Sequence, residues 1–322
     1  MKILIASSLH KQAINNLSEN HDVICAFNAP VSKLKELIVD RDVLIFRSGV
    51  QITREVMEAS PALKLLIRAG SGLDNLDFEY VQSKGIHLVR IPEPGAKAVA
   101  ELSFAFMLIL SREILKADQL LRKGHWAKSE LKGFILNGKV LGIVGTGNIG
   151  TRVGEMGASW GMKVIGCVHP SEYSENLKNK LSKKGIILTN FEDVISSADY
   201  LSIHTPLNEE TRNLINKEVL SKMKEGSYLM NLARGGVVDE QALFDELVSG
   251  KRLRGAALDV HIAEGENKIS PLASLPNVVL TPHIGAQTLD TQYEIGQRVL
   301  QQIDEFEKIL SKEKISVESQ KA

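Results

Sequence analysis

The position of one glycine-rich turn limits what this chain can fold into. Gly145-Thr146-Gly147-Asn148-Ile149-Gly150 fits G-x-G-x-x-G and falls near the middle of the 322 residues. It follows an apolar run, Val140-Leu141-Gly142-Ile143-Val144, that reads as a buried strand, and precedes residues 151–160, which read as a helix. Strand, glycine turn and helix in that order are what a dinucleotide-binding βαβ unit requires. The first glycine permits the tight turn, the second lets backbone approach a pyrophosphate, and the third lets helix pack on strand. Unpaired N–H groups at the helix N-terminus suit the phosphates. A unit that begins near residue 140 leaves a domain-sized segment ahead of it, which must do something else.

That leading segment alternates short apolar runs, at 3–6, 23–26, 43–46, 65–67 and 88–89, with helical patterns such as 31–39 and 53–59. Strands alternating with helices indicate a parallel, doubly wound sheet. Ile91-Pro92-Glu93-Pro94-Gly95 is expected to break regular structure and to serve as a hinge. Residues 96–121 read as one long, mostly apolar helix, suited to a core or to burial against a second subunit. A second series of strands is expected at 140–144, 163–167, 186–188, 199–203, 227–231, 255–258 and 278–281. After Pro282 the pattern becomes a helix over roughly 288–311 with a polar tail, which would return to the first domain. The expected domains are therefore 1–95 plus 289–322, discontinuous, and 96–288, which carries the glycine turn.

Composition narrows the partners. Lys and Arg balance Asp and Glu at 39 each, so no net field favours nucleic acid or an anionic membrane. The longest apolar stretch, 102–110, is too short to span a bilayer, and residues 1–9 read as a first strand rather than a signal peptide. Cys25 and Cys167 make no disulfide framework and lack metal-ligand spacing, which points to reducing cytoplasm and to no metal.

Three side chains follow strands of the second series, where ligands of doubly wound sheets bind. Arg234, in Asn231-Leu232-Ala233-Arg234-Gly235-Gly236, has the planar fork that matches a carboxylate. His283, in Thr281-Pro282-His283-Ile284-Gly285-Ala286, suits proton transfer near neutral pH during reduction of a ketone by hydride. Glu264, in Asp259-Val260-His261-Ile262-Ala263-Glu264, is a carboxylate that would orient the imidazole. His261 is expected to face solvent or pack against its loop and is assigned no role.

Ordered motifs extend well beyond those three. They include Arg47-Ser48-Gly49, Arg68-Ala69-Gly70-Ser71-Gly72-Leu73-Asp74-Asn75, Ala98-Val99-Ala100-Glu101-Leu102, His204-Thr205-Pro206-Leu207 and Ala257-Leu258-Asp259-Val260. With the glycine turn and the Arg234 and His283 segments, they make the chain resemble the D-isomer-specific 2-hydroxyacid dehydrogenase family nearly end to end. The resemblance implies two doubly wound parallel α/β domains, flavodoxin-like and Rossmann-type, with the active site in the cleft between them. It implies that Arg234 binds the substrate's carboxylate and keto oxygen, that His283 is the general acid/base, and that Glu264, five residues after Asp259, supports it. It further implies cofactor contacts at Gly145, Gly147, Asn148, Ile149, Gly150, His169, His204, Thr205, Pro206, Leu232, Ala233, Asp259 and Gly285, with Thr205 and Asp259 by the nicotinamide. Substrate contacts are implied at Ser71 and Gly72. A small 2-hydroxy or 2-keto acid is the implied partner, and a homodimer the implied assembly.

Within the family the chain is most similar to the D-3-phosphoglycerate dehydrogenase branch of serine biosynthesis. Arg47-Ser48-Gly49-Val50 and Gly285-Ala286-Gln287-Thr288 stand near that branch's R-S-x-T and G-A-S-T. Arg47, Ser48 and Arg68 would then meet the phosphate, unless the two arginines form ordinary surface ion pairs. The length leaves no room for the C-terminal regulatory domains of some such enzymes, so no serine-feedback site is expected. Glyoxylate or hydroxypyruvate reduction is the alternative activity, and a nicotinamide-sensing corepressor scaffold is the alternative of another class. Formate dehydrogenases lack the glutamate.

Two positions depart from the family pattern. Val168 stands where an acidic residue, about 20 positions after the glycine turn, would bond the adenosine ribose. NAD is the expected cofactor, with NADP left open because no carboxylate there repels a 2′-phosphate. Gly265 replaces the proline usual after the glutamate, which would loosen that loop.

Overall fold

The structure, a computed structural model, describes residues 1–319 and the side chains of 1–312. It divides into two compact units, Met1–Gly95 with the segment from Gln287 onward, and Ala96–Ala286. In the first unit the strands are β1 (Lys2–Ile5), β2 (Asp22–Cys25), β3 (Val43–Phe46), β4 (Leu65–Arg68) and β5 (His87–Arg90). They pair in parallel in the order β2-β1-β3-β4-β5. Central strands of a parallel sheet are buried on both faces, which is why β3 is an unbroken apolar run, VLIF. Alternate side chains still separate: Ile3, Ile5, Val43 and Ile45 join one core layer, and Leu4, Leu44 and Phe46 the other.

The C-terminal helix Leu289–Ser319 closes the first of those layers. Ile295, Val299, Ile303 and Phe306 recur every three or four residues, are at most 6% exposed, and pack with Leu9 and Leu17. Each contributes roughly 1.5–3 kcal/mol of burial. The polar tail expected beyond 311 continues the helix to Ser319, since neither glycine nor proline interrupts it.

The second unit holds β6 (Val140–Val144), β7 (Lys163–Cys167), β8 (Ile186–Leu188), β9 (Tyr200–Ile203), β10 (Ser227–Asn231), β11 (Leu253–Leu258) and β12 (Val278–Leu280). The order is β12-β11-β10-β9-β6-β7-β8. Strands run outward from β6 in one direction and from β9 in the other, so the β6/β9 border is the switch point where such sheets bind ligands.

Two local expectations are corrected. Residues 93–95 do not break regular structure: a helix spans Glu93–Arg112, and Pro94 lies in its first turn, where a missing N–H is tolerated. Nor does one helix run to 121. It stops at Arg112, Glu113 turns left-handed (φ 49°), and a second helix spans Ile114–Arg122. Continued helix would have Leu115 N–H donate to the Ser111 carbonyl, but Phe134 N–H takes that carbonyl at 2.9 Å. The close approach needs Gly133, where a Cβ would sit 2.3 Å from the same oxygen.

The 20-residue helix is also longer than the 102–110 stretch and is apolar enough to cross a membrane by length and composition. Here its apolar side chains are core: Phe104, Phe106, Met107 and Leu110 pack with Leu141, Tyr200 and Met230. Tyr200, 1% exposed, satisfies its hydroxyl on Ser111 Oγ at 2.7 Å.

Ile303→Ala should destabilise the first unit by about 2–5 kcal/mol through the cavity it leaves. Denaturant unfolding tests this, and an unchanged midpoint would mean that the C-terminal helix is not docked as described.

Candidate active site

Around the glycine turn, sterics assign each glycine a distinct task. Gly145 adopts φ +92°, and a Cβ there would lie 2.8 Å from the His204 carbonyl oxygen. Gly150 packs its Cα on the turn itself, where a Cβ would meet the Gly145 carbonyl at 2.0 Å. Gly147 has nothing within 4 Å of a Cβ position, and it begins the helix Asn148–Ser159 with no side-chain cap. Exposed backbone, an uncapped helix N-terminus and an absent side chain together fit a pyrophosphate. His204, on the adjoining strand end, shares a proton with Ser202 Oγ at 2.8 Å, and burial pushes its pKa down to about 3. It is a neutral imidazole at physiological pH.

At the end of β7, Cys167 is buried and its thiol is pushed up to about 11, chiefly by desolvation. His169, expected to contact cofactor, caps the short turn Pro170–Glu172: its Nδ1 accepts from Ser171 N–H at 3.3 Å. Its Nε2 lies 3.3 Å from Glu210 Oε2, an exposed carboxylate from the loop after β9. Sequence spacing showed no acid near Val168 because this one lies more than forty residues further along the chain.

The three candidate catalytic residues all follow carboxyl ends of neighbouring strands, β10, β11 and β12. His283 Nδ1 lies 3.1 and 3.0 Å from the two oxygens of Glu264. Desolvation raises the Glu264 carboxyl, but the hydrogen bond and charge of His283, with N–H donation from His261, outweigh it and leave the pKa below its ordinary 4.5. The carboxylate therefore stays ionised and holds the ring, leaving Nε2 as the atom that can exchange a proton with a ligand. Arg234 is half-buried, and its Nη1 donates to the Ala233 carbonyl at 2.7 Å.

His283 itself is left-handed (φ 55°), a conformation that costs a non-glycine residue roughly 1–2 kcal/mol. Asp259, 2% exposed, is what holds it there. The Asp259 carbonyl accepts His283 N–H at 2.8 Å. Its carboxylate accepts Ile284 N–H and Gly285 N–H, each at 2.8 Å, and Thr281 Oγ1 at 2.6 Å. Asp259, expected beside the nicotinamide, thus also shapes the histidine loop. Leu232 and Ala233 are buried, with Ala233 N–H on Asn231 Oδ1, while Pro206 is exposed.

In the first unit, Arg47 and Arg68 are buried rather than at the surface: they are 9% and 4% exposed. Burial lowers the Arg47 pKa from its ordinary value. Arg68 wraps the following turn, with Nε donating to the Gly72 carbonyl at 2.8 Å and the guanidinium over the Phe46 ring. A Cβ on Gly70 would lie 2.5 Å from its Nη1. Arg68 therefore organises the Gly70–Gly72 turn. Ser48 and Ser71 are exposed beside these arginines.

Two residues of the second unit escaped the motifs. Buried Glu240 accepts Ile262 N–H at 2.7 Å, and His261, expected to face solvent or pack against its loop, bonds through Nε2 to the Thr281 carbonyl of the β12 loop at 2.9 Å. Neither belongs to a spacing pattern, since both act across loops distant in sequence.

The family model for the NAD-binding domain of D-isomer-specific 2-hydroxyacid dehydrogenases matches residues 104–285. The chain is 39% identical over 305 residues to a D-3-phosphoglycerate dehydrogenase of Methanocaldococcus jannaschii, covering 94% of this chain and 57% of that one. It is 37% identical over 305 residues to a hydroxypyruvate reductase of Thermotoga maritima, covering 94% and 97%. The chain thus spans little more than half the length of the first of these relatives. A D-lactate dehydrogenase of Aquifex aeolicus, solved with NAD and lactic acid, superposes with a TM-score of 0.83 at 29% identity, covering 95% and 96%.

Two outcomes are expected. Glu264→Gln should be less stable than the parent above pH 4.5, and the gap should close as pH falls, because the depressed carboxyl stabilises the fold only while ionised. Melting curves across that range test it, and a pH-independent gap would contradict it. Gly150→Ala should lose about 1–3 kcal/mol by overpacking the turn, measurable by thermal unfolding. Parent-like stability would show that the turn can shift.

Proposed function

This chain belongs to the D-isomer-specific 2-hydroxyacid dehydrogenase family, and on that premise we propose that it interconverts a D-2-hydroxy acid and its 2-keto acid, with D-3-phosphoglycerate and 3-phosphohydroxypyruvate as the favoured pair. The observation that carries the reading is the Glu264–His283 contact at 3.0 Å, on loops next to the one bearing Arg234. A bidentate guanidinium at Arg234 holds the carboxylate and polarises the keto oxygen. During reduction His283 Nε2 gives its proton to that oxygen, and during oxidation it takes the proton back. Glu264 keeps the ring oriented and stabilises the imidazolium that alternates with neutral imidazole. Bound nicotinamide supplies or accepts the hydride at C2.

The glycine turn and the N–H groups of Asn148, Ile149 and Gly150 would hold the pyrophosphate, with Thr205, Leu232 and Gly285 along the remainder of the cofactor. NAD is preferred over NADP: Glu210, 3.3 Å from His169, puts a carboxylate near the end of β7 despite Val168. A 2′-phosphate would meet that negative charge. Arg47, Ser48, Ser71 and Gly72 are the residues proposed for the acid's anionic groups. The two free thiols fit a cytoplasmic setting, and exposed Ile114, Leu121, Trp126 and Ile135 fit a homodimer contact.

One observation favours a second reading, hydroxypyruvate or glyoxylate reduction. Arg68 is engaged with the Gly72 carbonyl, which leaves Arg47 as the main candidate for a phosphate. Initial rates of NADH and NADPH oxidation with 3-phosphohydroxypyruvate, hydroxypyruvate and glyoxylate separate the readings. The expected result is a kcat/KM that favours the phosphorylated acid and NADH. Equal or better rates with the unphosphorylated acids would transfer the assignment to the second reading, and negligible rates with all three would favour a binding scaffold. His283→Ala should lower kcat about 10²–10⁴-fold while cofactor binding survives. A near-parental kcat would remove His283 from the chemistry.

A further inference from the structure

We propose that His261 is a positioning residue that locks the loops bearing Arg234, Glu264 and His283 into one arrangement; the proposal rests on the catalytic reading of those three. Three of its four polar groups, the ring Nε2, the main-chain N–H and the carbonyl, each reach a different one of these loops, while Nδ1 is buried without a hydrogen-bond partner among the described residues. The ring Nε2 lies 2.9 Å from the Thr281 carbonyl, and a carbonyl can only accept, so Nε2 carries the proton. That same carbonyl accepts His283 N–H at 3.0 Å. The His261 ring therefore bonds directly to the turn that keeps His283 left-handed.

The main chain of His261 makes the other two links. Its N–H donates to Glu264 Oε1 at 3.2 Å, the oxygen that also faces His283 Nδ1 at 3.1 Å. Its carbonyl packs on Gly235, the residue after Arg234, so closely that a Cβ there would stand 1.8 Å from the oxygen. The next residue is anchored as well, Ile262 N–H donating to buried Glu240. Gly265 (φ +118°) and Asn267 (φ 60°) follow in a loop that lines a cavity of about 700 Å³ together with His261, Glu264 and His283. A loop bordering so large a space has little packing of its own to hold Glu264. The ring bond of His261 fixes the start of that loop to the β12 loop, and with it the separation between Glu264 and His283. Reacting groups displaced by about 1 Å can lose a hundredfold in rate.

Two substitutions at this position test the role, with His283→Ala as the reference. His261→Phe keeps a ring but removes the donor, whereas His261→Gln places an N–H near the original Nε2. His261→Phe should lower kcat about tenfold to a hundredfold, with the dissociation constant for NADH within twofold of the parent, and His261→Gln should recover most of the loss. Nitrogen NMR of the histidine rings supplies a readout independent of turnover: the parent should show His261 protonated at Nε2, and His261→Phe should shift the His283 Nδ1 signal. Parental kcat and an unmoved His283 signal in His261→Phe, beside an inactive His283→Ala, would overturn the proposal alone. Full turnover in His283→Ala would instead overturn the catalytic reading, and the His283 signal would still decide whether His261 positions that ring.

Discussion

Burying a carboxylate costs several kcal/mol unless its oxygens are hydrogen-bonded, and Asp259 meets that condition only because residues 281–285 fold over it. The reverse dependence is as strong. The β12 loop has a left-handed histidine at its centre, and it holds that shape because three of its groups donate to the Asp259 carboxylate and a fourth to its carbonyl. Asp259 N–H in turn donates to the Asn231 carbonyl at 3.0 Å. One residue at the end of β11 thus ties the end of β10 to the loop after β12. Everything proposed about proton transfer depends on that tie, since it sets where the His283 ring stands when it meets Glu264.

The second constraint is close approach of backbone to backbone. Gly145 against His204, Gly150 against Gly145 and Gly235 against His261 are contacts in which a Cβ would sit 1.8–2.8 Å from a carbonyl oxygen. These glycines are less about flexibility than about room. They let strand ends and helix starts come together at the carboxyl edge of the sheet, where unpaired N–H groups can serve a ligand. Gly147 differs: it faces open space, which is what a bound phosphate needs.

Much of this was legible in the sequence. Buried parallel strands must be short apolar runs, and the strands β6, β7, β8 and β10 fall on the residues those runs marked. The glycine turn and the Arg234, Glu264 and His283 segments are local signals with specific spacings. What stayed hidden was decided by distant partners. Apolar periodicity continues through Glu113, yet the helix ends at Arg112 because Phe134, over twenty residues away, takes the Ser111 carbonyl. Nothing local to Arg68 shows that its side chain also folds over Gly70 and Gly72. His261 and Glu240 carry no motif, because each bonds to one main-chain group of a loop some twenty residues away.

By itself, the sequence determined the class of fold, the placing of the dinucleotide turn and the kinds of side chain available for chemistry. Hydrophobic periodicity and glycine spacing are properties of adjacent residues, so they can be read without coordinates. Only the tertiary structure decided which of those side chains meet. It set Glu264 3.0 Å from His283, gave Asp259 and Arg68 the hydrogen bonds that shape their loops, and brought Glu210 beside His169. Those outcomes depend on hydrogen bonds and steric contacts between segments that the chain separates and the sheet brings side by side.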